Sequence, residues 1–215
     1  MAAGVDEIYV ATRRQLRGVA ESLIAGPQYR KAGTIRLAVC PDGFTAVAIP
    51  LAVHGGELVL PNDAVELSGP LSSVADLAGI EAGPPEGAFR IVDALPPDAE
   101  LKLDSEAVEW IDRSHYAGGH ALKHVLPECH PVLWPEHFDV AATEGEVNYG
   151  VSAGDDHHHS PYAYVGPPTV PAGPFWNAPF GALYPLNRSH DVDALTSRIV
   201  DFFERGRREL DWSTP

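Results

Sequence analysis

The sequence predicts an α+β fold in which mostly antiparallel strands are flanked by three main helices. Three long segments carry apolar residues at helical spacing. Between them lie short segments in which apolar and polar residues alternate, bounded by Gly, Pro and Asp. Because strands and helices fall into separate runs, the pattern favours α+β over a doubly wound sheet.

In the first half of the chain, residues 5–25 are predicted to form a helix whose apolar stripe contains Leu16 and Leu23. Gly26 and Pro27 are expected to end this helix. Turns are predicted at Pro41-Asp42-Gly43 and Gly55-Gly56. The predicted strands are residues 34–39, 44–51, 57–60 and 89–92, and residues 71–78 are a predicted short helix.

In the second half, Asp104 is the predicted N-cap of a helix over residues 105–125. Gly118-Gly119 in its middle leaves room for a kink or break, because glycine disfavours a helix interior. The remaining predicted elements are strands at 132–142, 146–151 and 162–165 and a helix at 192–210.

The length of 215 residues suits a single α+β domain, residues 1–215. The stretch 82–97 is rich in Pro and Gly, which allows internal halves at 1–100 and 101–215. No membrane-spanning run and no signal peptide is recognised. Two cysteines are too few for a disulfide framework. We therefore expect a cytoplasmic protein.

The net charge of −15 argues against two classes of partner. Nucleic acid and anionic membranes would both be repelled at long range. A small-molecule ligand and a homodimer are both compatible with this charge.

The best candidate site begins in residues 136–142. If these form a strand, His137 and Asp139 share one face and Phe138 lies on the other. A turn at Glu144-Gly145 would pair Ala142 with Val147, Val140 with Tyr149 and Phe138 with Val151. The polar face would then collect His137, Asp139, Asn148 and Ser152.

The chain continues into Gly154-Asp155-Asp156-His157-His158-His159, next to the end of this face. Imidazole and carboxylate together suit a divalent metal such as Zn, Fe or Mn. His137 and Asp139 are the first two predicted ligands. The third is one of His157, His158, His159 or the distant His190.

Two known sequence motifs overlap the same region, but the secondary structure that each motif requires is not predicted there. His137, Asp139 and His190 have the ligand order of Fe(II)/2-oxoglutarate oxygenases, but His190 opens a predicted helix. Gly150-Val151-Ser152-Ala153-Gly154 matches a serine-hydrolase elbow, but no helix is predicted after it.

Four segments from Leu133-Trp134-Pro135-Glu136-His137-Phe138-Asp139 to Trp176-Asn177-Ala178-Pro179-Phe180-Gly181-Ala182 resemble an uncharacterised actinobacterial family with no assigned activity. The resemblance covers residues 132–182. It implies site residues at His137, Asp139, Asn148, Asp155 and His158. Where the family has Pro and Glu, this sequence has Ala153 and Ser160. If the Glu of the family is a metal ligand, that ligand is absent here.

Three functions are consistent with the sequence. The leading one is a divalent-metal-dependent protein, which includes an enzyme, with ligands His137, Asp139 and His158 and support from Asn148, Ser152 and Asp155. The second is a non-catalytic small-ligand binding protein that uses the same polar face. The third is an interaction module whose Pro-rich residues 166–185 dock a partner.

Overall fold

A computed structural model describes residues 6–211. The chain divides into a first unit, Met1–Asp112 with Leu133–Phe138, and a second unit, Arg113–Val132 with Asp139–Pro215. Both contain helices and antiparallel strands, so the predicted α+β class is confirmed. None of the described helices combines the length and apolar character that a bilayer span requires.

The first unit begins with α1 (Glu7–Val19), which passes through a π-helical segment (Ala20–Ala25) into α2 (Gly26–Ala32). The predicted stop at Gly26-Pro27 is therefore wrong, while Val5 lies outside the described residues. In a π-helix, the carbonyl of Ser22 would accept a hydrogen bond from the N–H of the residue five positions later. That residue is Pro27, which has no backbone N–H. Gly83 donates its N–H to Ser22 O instead, at 3.0 Å. The helix ends at Gly33, whose φ of 70° suits glycine.

The strands of the first unit form two antiparallel sheets. In the larger sheet, β1 to β5 pair in chain order, and Leu133 of β8 pairs with Leu37 of β1. The predicted strand 44–51 ends early, and residues 89–92 form none. The elements are β1 (Leu37–Cys40), β2 (Gly43–Ala46), β3 (Ala52–His54), β4 (Glu57–Leu60), β5 (Asp63–Glu66), β6 (Ser68–Pro70), α3 (Leu71–Ala78), β7 (Glu100–Lys102) and β8 (Val132–Trp134).

The second unit contains four antiparallel strands that pair in chain order: β9 (Asp139–Glu144), β10 (Val147–Ser152), β11 (Tyr162–Gly166) and β12 (Ala182–Pro185). Strand β12 lies in the segment 166–185, where Asn177 holds it through two bonds to the Leu183 backbone, of 2.8 and 3.0 Å. Docking of a partner by this segment stays a prediction.

Helix α4 (Ser105–Val125) is capped by Asp104 as predicted, since its Oδ1 accepts from Ala107 N at 2.9 Å. The helix continues through Gly118 and Gly119, so the break that these glycines allowed does not occur. A Cβ at Gly118 would lie 2.7 Å from Val151 Cγ2 and 2.9 Å from Val140 Cγ1. Glycine therefore lets α4 lie close to β9 and β10. The last helix, α5 (Val192–Asp211), packs on β11.

Gly118→Ala is expected to destabilise the protein. Overpacking against Val151 costs about 1–3 kcal/mol, and the gain in helix propensity returns about 1 kcal/mol. Chemical denaturation measures the free energy of unfolding. In a Val151→Ala background the same substitution should cost less or become stabilising, and equal costs in both backgrounds would show that the close approach is not the reason for the glycine.

Candidate functional site

His137 lies in a turn, not in a strand as predicted. Strand β8 ends at Trp134, just before Pro135, and Phe138 N donates to Trp134 O at 2.8 Å to close the turn. Phe138 has a φ of 52°, which breaks the alternation on which the shared face of His137 and Asp139 depended. His137 is exposed and belongs to the first unit, whereas Asp139 is buried and belongs to the second.

The predicted register of β9 and β10 is wrong by two residues, but the faces are right. Ala142 pairs with Tyr149 rather than Val147, because Gly145 and Glu146, at φ of 57° and 66°, form the two-residue turn. An even shift leaves every side chain on its predicted face. Asp139 pairs directly with Ser152, and Asn148 lies on the same face, where Thr143 Oγ1 donates to its Oδ1 at 2.7 Å.

The Asp139 carboxylate accepts a hydrogen bond from the Tyr164 hydroxyl of β11. Gly150, between them on β10, makes this contact possible, since a Cβ there would lie 2.5 Å from the Tyr164 hydroxyl oxygen. Burial and the neighbouring negative charge of Asp139 raise the pKa of Tyr164 well above its usual range. Tyr164 therefore stays protonated and acts as a donor.

Asp155 organises the histidine segment of the second unit. One of its oxygens, Oδ1, accepts from His157 N at 2.8 Å and from His158 N at 2.9 Å, while Oδ2 accepts from the Tyr162 hydroxyl at 2.6 Å. Desolvation opposes the charge, but these hydrogen bonds hold the pKa of Asp155 below its usual value. Partial burial lowers the pKa of His158, which favours its neutral imidazole.

The second unit does not gather these residues into a metal-ligand cluster. Among its described residues, no three ligand groups of His, Cys, Asp or Glu lie within 4.8 Å of one another. Asp139, Asp155 and the histidine triplet thus lie along a face and its adjoining loop. His190 lies in the turn before α5, where its N–H bonds Asn187 O. Metal binding by His137, Asp139 and His158 stays a prediction.

The first unit contains a cluster that the sequence analysis missed. Ligand atoms of Cys40, Asp42 and His54 all lie within 4.8 Å of one another. Cys40 ends β1, Asp42 occupies the following turn and His54 ends β3. Gly43 pairs with Cys40 on one side and with His54 on the other, so the three donors meet at one end of the β1–β2–β3 meander. This cluster could hold a metal ion.

Two hydrogen bonds fix the geometry of the cluster. The Asp42 side chain lies 2.9 Å from His54 Nδ1, and its backbone carbonyl accepts from Gly55 N at 2.9 Å. A side chain at Gly43 would place its Cβ 1.9 Å from Val53 O, so only glycine allows β2 to approach β3 here.

The electrostatics of the cluster favour a cation over a free thiolate. Burial raises the pKa of the Cys40 thiol to about 11, and the charges of Asp42 and Asp112 add to the shift, against one backbone hydrogen bond that lowers it. Burial also raises the pKa of Asp112 to about 7, with a further contribution from Asp42. A reactive cysteine needs a lowered pKa, so nucleophilic catalysis by Cys40 alone is disfavoured.

The predicted strands hid this cluster. A single strand, 44–51, is predicted between the turns at Pro41-Asp42-Gly43 and Gly55-Gly56, whereas the structure has β2 and β3 there. With one strand between them, Cys40 and His54 would lie at opposite ends of the sheet, because consecutive antiparallel strands run in opposite directions. Pro50, which is unsuited to the interior of a strand, is the signal that would have divided this segment and brought the ends of β1 and β3 together.

A separate buried carboxyl lies in the π-helical segment. Glu21 is 1% exposed, its Oε1 is 3.5 Å from Arg17 Nε, and its Oε2 has no hydrogen-bond partner among the described residues. Burial raises the pKa of Glu21 from 4.5 to about 7; Arg17 opposes the shift and the charge of Glu136 adds to it. Glu21 is thus partly protonated at neutral pH.

Comparisons of the chain with protein-family models, with curated proteins and with solved structures find no match. The resemblance of residues 132–182 to an actinobacterial family stays a prediction.

Glu21→Gln is expected to change how stability depends on pH. The folded state keeps the Glu21 proton up to a pKa of about 7, whereas the unfolded chain loses it near 4.5. Between these values the folded state binds more protons, so the wild-type free energy of unfolding falls as pH rises. Relative to Glu21→Gln, we expect a loss of about 2 kcal/mol from pH 5 to pH 8.

Denaturation at several pH values measures this difference. Asp112 is present in both proteins, so its own titration cancels. Glu66→Gln, at an exposed position, is the matched control and should leave the pH profile of the wild type unchanged. Parallel pH profiles for the wild type and Glu21→Gln would contradict the raised pKa.

Proposed function

We propose that the protein binds a divalent transition metal through Cys40, Asp42 and His54. The observation that carries the proposal is the meeting of a thiol, a carboxylate and an imidazole within 4.8 Å at one end of a β-meander. These are the side chains that bind transition metals in proteins. The proposal keeps the divalent metal expected from the sequence but assigns it to different residues.

The negative surroundings of Cys40 support a metal rather than a thiol nucleophile. Burial, and then the charges of Asp42 and Asp112, disfavour a thiolate on Cys40 as long as no cation is near. A divalent ion would outweigh these effects, because a thiol that coordinates a metal releases its proton to solvent and binds as the thiolate. The same carboxylates that hinder a free thiolate would therefore favour the ion.

The donor set favours Zn²⁺ over Mn²⁺. Thiolate and imidazole are typical zinc ligands, and a thiolate is a poor match for Mn²⁺. Iron(II) stays an alternative, since imidazole and carboxylate also suit it. The Asp42–His54 hydrogen bond resembles the contacts that orient ligating histidines, and on metal binding the Asp42 oxygens would be divided between ion and ring.

Three protein ligands leave a position open on a tetrahedral ion. Such sites bind water or a substrate oxygen and act as Lewis acids. The side chains of His54 and Asp42 are 37% and 66% exposed, so a small molecule could reach the site from solvent. The proposed role is accordingly that of a metal-dependent protein with an accessible ion, whose reaction would be hydrolytic or Lewis-acid-assisted.

Titration of untagged, metal-free protein with Co²⁺ and Zn²⁺ tests the proposal. We expect one equivalent of Co²⁺ to produce a thiolate-to-cobalt charge-transfer band, which Zn²⁺ displaces. Cys40→Ser should abolish the band, and His54→Gln or Asp42→Asn should weaken metal affinity by at least ~10-fold. Cys129→Ser is the matched control, because Cys129 donates to Thr143 O in the second unit and lies outside the cluster.

Two results would contradict the proposal. The first is the lack of any band at one equivalent of Co²⁺. The second is a band that survives Cys40→Ser. If His137→Ala and His158→Ala abolish metal binding and the Cys40 variant does not, the site predicted from the sequence is the metal site instead.

A further inference from the structure

We propose that a groove in the first unit binds a small organic anion with an apolar body. The groove has a volume of about 440 Å³ and shares no residue with the proposed metal site. Small-molecule sites of this size are mainly apolar, with a few polar groups that fix orientation. The groove has this character, and its lining comes from α2, the loop between β2 and β3, the turn after β4 and the residues after α3.

The apolar part of the groove is supplied by residues distant in the sequence. Leu51 is buried, while Ile49 and Ile80 are half-buried and contribute their remaining surface to the groove. Pro27 and Pro61 also line it, and their rings lose little conformational entropy on binding. An alkyl or aryl group placed here would remove apolar surface from water on both partners.

A buried glutamine holds one wall in place. Gln28 of α2 is fully buried, and its Oε1 accepts from Val47 N and Ala48 N, each at 2.7 Å. Its Nε2 donates to Thr34 O at 3.1 Å and Arg36 O at 2.9 Å, so both donors are used. The loop that carries Ile49 and Leu51 is thereby fixed without a ligand, which lowers the entropy lost on binding.

The charge of the groove identifies the ligand as an anion. Arg30 and Lys31 lie side by side at its rim, in a protein whose net charge is −15. Arg30 is oriented by hydrogen bonds to the backbone carbonyls of Glu81 and Gly83. Lys31 is exposed, and its ammonium pairs with no described residue. The Glu81 carboxylate is 4.0 Å from Arg30 Nε but 86% exposed, so solvent screens it.

A carboxylate or sulfonate bound to Lys31 would direct its apolar tail towards Ile49 and Ile80. A short fatty acid or an aryl acid has this combination of one charged end and one apolar body. Octanoate is the simplest probe of this class, and 1-octanol is its uncharged counterpart.

The experiment is a titration of full-length protein, labelled at isoleucine methyl groups, with octanoate and with 1-octanol. We expect octanoate to shift the methyl signals of Ile49 and Ile80 and to leave that of Ile199 in the second unit unchanged. Lys31→Glu should weaken octanoate binding about five-fold. The matched control is Lys102→Glu, which changes the net charge equally but alters a lysine of β7 outside the groove.

Each remaining outcome overturns the proposal. No shift at Ile49 and Ile80 up to millimolar octanoate means that the groove binds no such ligand. Equal weakening by Lys31→Glu and Lys102→Glu, or equal affinity for 1-octanol, means that no anion is recognised there. The titration uses metal-free protein, so its result does not depend on the proposed metal site.

Discussion

The proposed metal site depends on the register of one short β-meander. Cys40 pairs with Gly43, and Gly43 pairs with His54. The ligand side chains at the ends of β1 and β3 therefore meet at the same end of the sheet. A shift of one residue in either pairing would turn one donor to the opposite face of the sheet. Gly43 secures the register, because the carbonyl of Val53 occupies the space where any other residue would have a Cβ.

The continuous first helix has a comparable role for the groove. Because the helix does not stop at Gly26-Pro27, Gln28 lies within it and reaches the backbone of two separate loops. The continuation depends on the π-helical segment. There the carbonyl of Ser22 accepts a hydrogen bond from Gly83 N, because Pro27 has no N–H to donate. Gly26 allows this approach, since a Cβ there would lie 1.8 Å from Gly83 O. The Gly83–Ser22 contact therefore lets the helix continue, and the Gln28 side chain then fixes the loop at the wall of the groove.

The features of the fold that depend on local interactions were predicted correctly from the sequence. Asp104 caps α4 as expected, and the faces of β9 and β10 follow from alternation alone. The errors arose where a distant partner decides the outcome. Gly83, about sixty residues from Pro27, lets the first helix continue, and Val140 and Val151 explain Gly118. The positive φ of Phe138, which removed His137 from its predicted strand, has no local signature in a residue of that type.

The two polar regions differ in what their carboxylates already bind. In the second unit, Asp155 uses both oxygens for hydrogen bonds from Tyr162 and from the backbone of the histidine segment, and Asp139 accepts from Tyr164. A metal there would have to replace bonds that already stabilise those charges. In the first unit, Asp42 shares its charge with an imidazole and lies near a thiol that it destabilises as a thiolate. A cation would relieve that repulsion, and this physical difference is why we propose Cys40, Asp42 and His54 as the metal site.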